Sequence, residues 1–305
     1  MSDRHRSGIL PVEKGPGVTS FEVVAHLRRI LRAPRIGHGG TLDPAATGVL
    51  PILVGEATKL TPYLVDLDKE YVATVRLGVT TESQDLSGAV LETRPVPPLD
   101  AAAIEAVLPQ FVGAIRQVPP MFSALRRGGK RLYELARQGV EVEREPREVT
   151  VHSIRLVSVS LPDFVIHVRC GKGTYVRTLA ADLGTALGCG AALAGLVRTR
   201  VGPFTLETAV SWDEVRLART GEALWARLRP PDSALAGLAA VHLDADAARA
   251  FAHGQAVAAG ARVMGWLRVY GPDDVLLGVG QGLGDRVKPE RLLHADPQGS
   301  SVLPA

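Results

Sequence analysis

Apolar positions change period several times along the chain, and each change marks a predicted element. Val23, Val24, Leu27, Ile30 and Leu31 recur at helical spacing behind Thr19 and Ser20, two good capping residues, which predicts a helix with one apolar face. Tyr71, Ala73, Val75 and Leu77 alternate with Val72, Thr74 and Arg76, the signature of a strand over 70–77 with one buried side. Residues 147–156 and 163–169 alternate in the same way, 8–12 reads as a short strand, and 51–54 is continuously apolar. Helices are predicted over 56–65, from Asp100 to about Phe111, and beyond Tyr175, where Val176, Leu179, Leu183 and Leu187 share a face that Gly184 and Gly188–Gly190 should break. Residues 78–98 are polar and Pro-rich and read as a loop.

The stretch 117–131 enters through two prolines and continues as a basic hairpin with a Gly128-Gly129 tip, followed by a short helix over 132–138 that Gly139 closes. Residues 193–201 are apolar and basic, and 205–238 form a connector with one or two helices ending at Pro230-Pro231. From about Ala240 the pattern becomes a short helix and then strand-like runs at 262–270 and 274–279, a small β-rich module ending near Leu293. The organisation predicted is a flexible tail at 1–8, a main domain over 9–238, the small module over 239–295 and a second tail at 296–305.

Composition changes this picture little. With 305 residues, 46% hydrophobic and 22% charged, the chain can bury a substantial core. A net charge of +3 permits nucleic-acid binding without requiring it. Two cysteines, Cys170 and Cys189, have neither CxxC nor metal-ligand spacing and read as buried free thiols, which suits a reducing cytoplasm. No apolar run reaches membrane-spanning length, and residues 1–7 lack an apolar signal core.

Candidate chemistry centres on 37–50, GHGGTLDPAATGVL, where glycines crowd one aspartate. Pro44 disfavours helical backbone at Asp43, so the carboxylate stands at a turn, but Asp followed by Pro is also a good helix start with Asp as cap. Arg28, Arg29, Arg32 and Arg35 suit either a helix C-terminus or phosphate contact. Arg126, Arg127, Lys130 and Arg131 around the Gly-Gly tip suit either solvent or an RNA backbone. Tyr175 and Arg177 point the same way if their segment is extended and diverge if the helix has begun.

These stretches, in this order and spacing, resemble the TruB family of tRNA pseudouridine synthases. The matching segments are Lys14–Ser20, Gly37–Thr58, Lys69-Glu70-Tyr71, Pro119–Ala124, Gly171–Thr178 and Leu196–Gly202, from about residue 9 to 210. The GHGGTLDPAATGVLP string followed by GEATKL carries most of the specificity. The sequence departs from the family pattern at Gly15, Phe122, Arg126 and Val197, where proline, tyrosine, lysine and arginine are common. The C-terminal module resembles the small PUA-type RNA-binding domain.

The resemblance implies an α+β catalytic domain with a mixed, mostly antiparallel sheet. It implies isomerisation of a uridine in the tRNA T loop (position 55) to pseudouridine by base flipping, with no metal or nucleotide cofactor, in the cytoplasm, by a monomer with no obligatory protein partner and no membrane contact. Asp43 is the implied catalytic residue, acting at C1′ as nucleophile or at the ribose as base. Tyr71, Tyr175, Arg177 and Leu196 are the implied uridine pocket: Tyr71 stacks on the base, Tyr175 closes the pocket, Arg177 opposes the carboxylate and Leu196 forms an apolar wall. His38 is implied to fill the gap left by the flipped base, against the alternative of a solvated loop histidine. Lys14, Arg126, Arg127, Lys130 and Arg198 complete the implied RNA-binding set, Lys14 being either structural or a phosphate contact. The rivals weighed are an RNA chaperone indifferent to Asp43, a glycoside hydrolase, which would need a partner carboxylate, and a guide-RNA-dependent relative.

Overall fold

The computed structural model describes residues 6–123, 125–136 and 138–294, with the side chains of Arg126, Arg127 and Arg131 outside that description. The expected terminal tails therefore lie largely outside the described residues. The chain divides into two compact units: residues up to Pro44, Gly48–Asp66 and everything from Val201 onward form the first, and Ala45–Thr47 with Leu67–Arg200 form the second.

In the first unit, β1 (Gly8–Lys14) leads to α1 (Ser20–Leu31), β2 (Ile36–His38), β3 (Thr47–Val54), a 3-10 turn (Gly55–Leu60) and α2 (Thr61–Asp66). Thr19 caps α1 in a reciprocal box: its hydroxyl accepts the Glu22 N–H while the Glu22 carboxylate accepts the Thr19 N–H. Val23, Val24, Leu27 and Leu31 are the buried face of α1, each contributing about 1.5–3 kcal/mol of transfer free energy. β3 runs antiparallel to β1, from Gly8 opposite Val54 to Lys14 opposite Gly48, and β2 pairs with its far end.

The second unit holds β4 (Lys69–Leu77), β5 (Val79–Thr81), β6 (Val90–Thr93), α3 (Ala101–Val107), β7 (Gly113–Gln117), β8 (Arg126–Arg127), β9 (Lys130–Arg131), α4 (Leu132–Ala136), β10 (Arg147–Ser160), β11 (Asp163–Cys170), α5 (Val176–Ala186) and β12 (Ala191–Val201). Its sheet order is β12-β4-β11-β10-β7, antiparallel from β4 to β7. The alternation read over 70–77 is the burial pattern of β4: Lys69, Tyr71, Ala73, Val75 and Leu77 face inward. They pack with Phe164, Ile166 and Val168 of β11 and with Val176, Leu179 and Leu183 of α5.

Two expectations are corrected here. Residues 78–98 are not all loop, because Val79–Thr81 and Val90–Thr93 pair as a ribbon. Alternation was invisible there, since every residue of β6 is exposed. Gly184 does not break α5. It lies inside the helix, where a Cβ would stand 2.2 Å from the Ala191 nitrogen, so glycine is needed for the close approach of β12.

The chain then returns to the first unit with β13 (Phe204–Thr205), β14 (Val210–Ser211), α6 (Trp212–Leu217), α7 (Glu222–Trp225), β15 (Ala239–His242), α8 (Ala245–Ala252), β16 (Val257–Tyr270) and β17 (Leu276–Leu292). β14 pairs parallel with β1. β15, β16 and β17 form a separate three-stranded sheet whose core includes Phe251 of α8, Leu267, Val269 and Val287. The fold is α+β with mixed, mostly antiparallel sheets, as the sequence implied.

Candidate active site

The Asp43 loop is built by tethers on either side of the aspartate. Ser20 Oγ, in the first turn of α1, donates to the Leu42 carbonyl at 3.1 Å and accepts the Leu42 N–H at 2.9 Å. On the other side, the Pro44 carbonyl accepts the Gly17 N–H at 2.9 Å and Lys14 Nζ at 3.1 Å. Further back, the Gly39 N–H donates to the Pro51 carbonyl, and a Cβ at Gly39 would stand 2.4 Å from a Leu64 methyl. No helix follows Asp43. The chain passes through a bend into β3, so the cap reading is set aside and the half-buried carboxylate belongs to a fixed loop. His38, half-buried, is the last residue of β2, opposite Ile52.

Lys14 departs from the RNA-binding role that the resemblance offered. The side chain is fully buried at the end of β1, and its ammonium donates to the carbonyls of Gly15 (2.9 Å), Val18 (2.7 Å) and Pro44 (3.1 Å). Of the two alternatives read from sequence, the structural one describes it, because a cation committed to buried carbonyls does not reach a phosphate. Arg198, on β12, is 2% exposed.

The implied uridine-pocket residues all lie in the second unit. Tyr71 sits on β4 opposite Val168, at the margin of the core, and Leu196 on β12 packs against the same core. Tyr175 caps α5, and Gln117 at the end of β7 grips its backbone both ways: Oε1 accepts the Tyr175 N–H at 3.0 Å and Nε2 donates to the Tyr175 carbonyl at 3.2 Å. Because the helix begins at Val176, Tyr175 and Arg177 do not share a strand face.

Arg177 is buried in the first turn of α5. Nη1 donates to the Ser83 carbonyl at 3.1 Å, Nη2 donates to the Phe122 carbonyl at 2.7 Å, and Asp85 Oδ2 lies 3.6 Å from Nη1. Asp85 is itself held, its Oδ1 accepting from the Ser83 hydroxyl and the Ser87 N–H. One residue on, Thr178 Oγ1 donates to Gln84 Oε1 at 2.8 Å. Sequence reasoning missed Gln117, Gln84 and Asp85. For Gln84 and Asp85 the available signal was the short Ser-Gln-Asp run at 83–85, inside the stretch whose polarity and prolines read as loop, while Gln117 carried no local signal.

The basic hairpin exists as β8 and β9 around Gly128 and Gly129, both at positive φ, with Lys130 exposed. The Arg126 and Arg127 side chains lie outside the described residues. Thus Lys14, His38 and Asp43 belong to the first unit, while Tyr71, Arg126, Arg127, Lys130, Tyr175, Arg177, Leu196 and Arg198 belong to the second.

Three family models match in succession: TruB family pseudouridylate synthase (N terminal domain) over residues 28–176, tRNA pseudouridylate synthase B C-terminal domain over 177–236, and pseudouridine synthase II TruB, C-terminal, over 239–293. Over 300 residues the chain is 49% identical to the tRNA pseudouridine synthase B of Burkholderia mallei, covering 96% of this chain and 99% of that protein. The chain belongs to the TruB family. A second TruB-family relative, the tRNA pseudouridine synthase B of Cupriavidus metallidurans, is 46% identical and covers 94% of each chain. Among solved structures, a chain of a Cbf5–Nop10–Gar1 complex matches with a TM-score of 0.71 at 27% identity, covering 95% of this chain and 84% of that one.

This TruB-family chain is thus a pseudouridine synthase, an isomerase. Among its described residues, no helix is long and apolar enough to cross a membrane.

Proposed function

We propose that this enzyme isomerises uridine 55 in the T loop of tRNA to pseudouridine, with Asp43 as the essential group. The C1′–N1 bond breaks, the freed uracil turns within the pocket, and C5 bonds to C1′ while the C5 proton leaves and N1 gains one. No net redox change occurs, and no atom is lost. Asp43 acts ionised, as nucleophile at C1′ or as base at the ribose. The target base is stacked in a folded loop, so flipping costs a few kcal/mol, offset by contacts in the pocket.

Tyr71 stacks on the flipped base, Tyr175 closes over it and Leu196 retains the detached uracil and keeps water away. Arg177 completes the proposed uridine pocket. Its fixed planar fork, already committed to two carbonyls, is why lysine would be a poor substitute. His38 occupies the space the flipped base leaves. The hairpin tip contacts phosphates. Residues 9–238 serve as the catalytic domain and 239–295 as a PUA-like RNA-binding module. The enzyme works as a monomer in the cytoplasm on the T stem-loop.

The observation that carries this reading is the double tether of the Asp43 loop, at Leu42 and at Pro44, which fixes a half-buried carboxylate outside any helix. Asp43→Asn tests it: pseudouridine formation on unmodified tRNA should vanish while tRNA binding and the unfolding midpoint stay near wild type. Normal turnover by this variant would refute the assignment of Asp43, whereas tRNA binding without any pseudouridine formation by the wild type would favour the chaperone reading.

A further inference from the structure

The segment after β3 carries a cluster that the reaction does not use. Glu56 is 9% exposed, in the 3-10 turn that begins where β3 ends. Its Oε2 accepts the backbone N–H of His294 at 2.9 Å, and Lys59 Nζ lies 2.7 Å from the same oxygen. Its Oε1 lies 2.6 Å from Arg35 Nη1. Lys59 also donates to the Leu292 carbonyl at 3.0 Å. Tyr63 of α2 meets the Trp266 ring of β16 edge to face, centroids 6.5 Å apart. The end of β17 is thereby tied to the 56–63 segment by one carboxylate and one ammonium, and β16 by one aromatic pair, all within the first unit.

Burial alone would push the Glu56 carboxyl up. The His294 N–H, Lys59 and Arg35 outweigh it and hold the group below the usual carboxylate range. A charge held ionised in a near-buried position, accepting a backbone N–H from the far end of the chain, is expensive unless the geometry it fixes matters.

We infer that Glu56, with Lys59, is a latch that sets the position of the C-terminal sheet relative to the Asp43 loop, and so acts as a positioning residue for whole tRNA. The path is short and stiff. The Asp43 loop runs directly into β3, β3 is clamped along its length to β1, and Glu56 follows one residue after β3 ends. A displacement of β17 at Leu292–His294 therefore changes where the C-terminal sheet stands with respect to the reacting loop. This inference rests on the RNA-binding role proposed for that sheet. A minimal T stem-loop is expected to engage the catalytic loop without needing the sheet, whereas whole tRNA engages both.

The test compares KM and kcat on whole unmodified tRNA and on a minimal T stem-loop for wild type, Glu56→Ala, Glu56→Gln and Lys59→Met. Glu56→Ala should raise KM for whole tRNA about tenfold, leaving kcat on both RNAs and KM for the stem-loop within about twofold of wild type; Glu56→Gln, which keeps an acceptor for the His294 N–H, should fall between. Lys59→Met removes a partly exposed partner and keeps the test alive if Glu56→Ala fails to fold. It should show a smaller split of the same sign, and faster amide exchange over 286–294. A fall in kcat on both RNAs, an equal rise in KM on both, or no change on either would overturn the latch. The wild-type enzyme separates the two claims: no pseudouridine in wild-type reactions sinks the proposed function, whereas an active wild type without the KM split sinks only the latch.

Discussion

Replacing Lys14 with methionine is the perturbation for which the structure gives the clearest expectation. The ammonium is fully buried and donates to three carbonyls, at 2.7, 2.9 and 3.1 Å. Methionine matches the stem in volume and removes all three bonds. The Pro44 carbonyl keeps its bond from the Gly17 N–H, so the acceptors that lose most are those of Gly15 and Val18. An unsatisfied buried acceptor costs about 1–3 kcal/mol, and relief of the buried charge returns part of that. The net expectation is a loss of about 2–4 kcal/mol, which lowers a urea midpoint by roughly 1 M at a slope near 3 kcal/mol per M. Because one bond goes to Pro44, loosening it also frees the Asp43 loop, and kcat should fall about tenfold or more on tRNA and stem-loop alike. Urea unfolding by fluorescence, tRNA binding across a salt series and single-turnover kinetics read the three consequences. An unchanged midpoint together with weaker binding and a flatter salt dependence would show the ammonium contacting phosphate, and the structural assignment would be wrong.

The other expectations are simpler. Neutralising Arg126, Arg127 and Lys130 together should reduce the slope of log affinity for tRNA against log salt by roughly 2–3; an unaltered slope would mean the tip faces only solvent. Arg76 and Asp163 form a two-pronged pair at 2.7 and 2.6 Å, and the Arg76 guanidinium holds the Asp163 carboxyl below its usual range, burial opposing it weakly. The pair is partly exposed, so Arg76→Ala should cost only about 0.5–1 kcal/mol at neutral pH. A depressed carboxyl contributes its stability above its unfolded pKa of about 4 and loses it as pH falls through the lower folded value, so wild-type and variant midpoints should converge in acid. Burial pushes the Cys170 thiol up to about 11, with the Thr174 hydrogen bond and Lys69 opposing. At pH 8 the native protein should leave this thiol unreacted with a thiol reagent and release it only on unfolding, and rapid native labelling at Cys170 would contradict the burial.

What could be read without coordinates follows the range of the forces involved. The capped helix at Thr19, the alternating strand at 70–77 and the hairpin at Gly128-Gly129 are specified by neighbours a few residues apart, and all three stand as read. The Asp43 loop was readable as a turn because Pro44 acts on its immediate neighbour. Whether Asp43 also capped a helix depended on what followed, and β3 followed because residues 47–54 find their partner in β1. The burial of Lys14 and Arg198 was not legible because side-chain chemistry does not say whether a position faces water. Lys14 is inward because the carbonyl of Val18, close in sequence, and that of Pro44, from the Asp43 loop, converge on it. Gly184 is required by the approach of Ala191, not by the local helix. Asp85 and Gln117 were silent because each acts on a partner some 60–90 residues away.

The pairing of β1 with β14, and of Ile9 with Arg229, has a consequence for how the chain comes to exist. The strand over residues 8–14 waits for residues about two hundred positions later before its edge is covered, and the Glu56 carboxylate waits for His294. During synthesis the stretch Leu67–Arg200 is continuous and can close its own contacts as it emerges. The unit carrying Asp43 cannot. Its pairings of β1 with β14, of Ile9 with Arg229 and of Glu56 with His294 span most of the chain, so their entropy is met only late, although the tethers of the Asp43 loop itself lie within residues 14–51. A ribosome stalled before residue 210 would hold a chain whose second unit can fold while the edge of β1 still lacks β14.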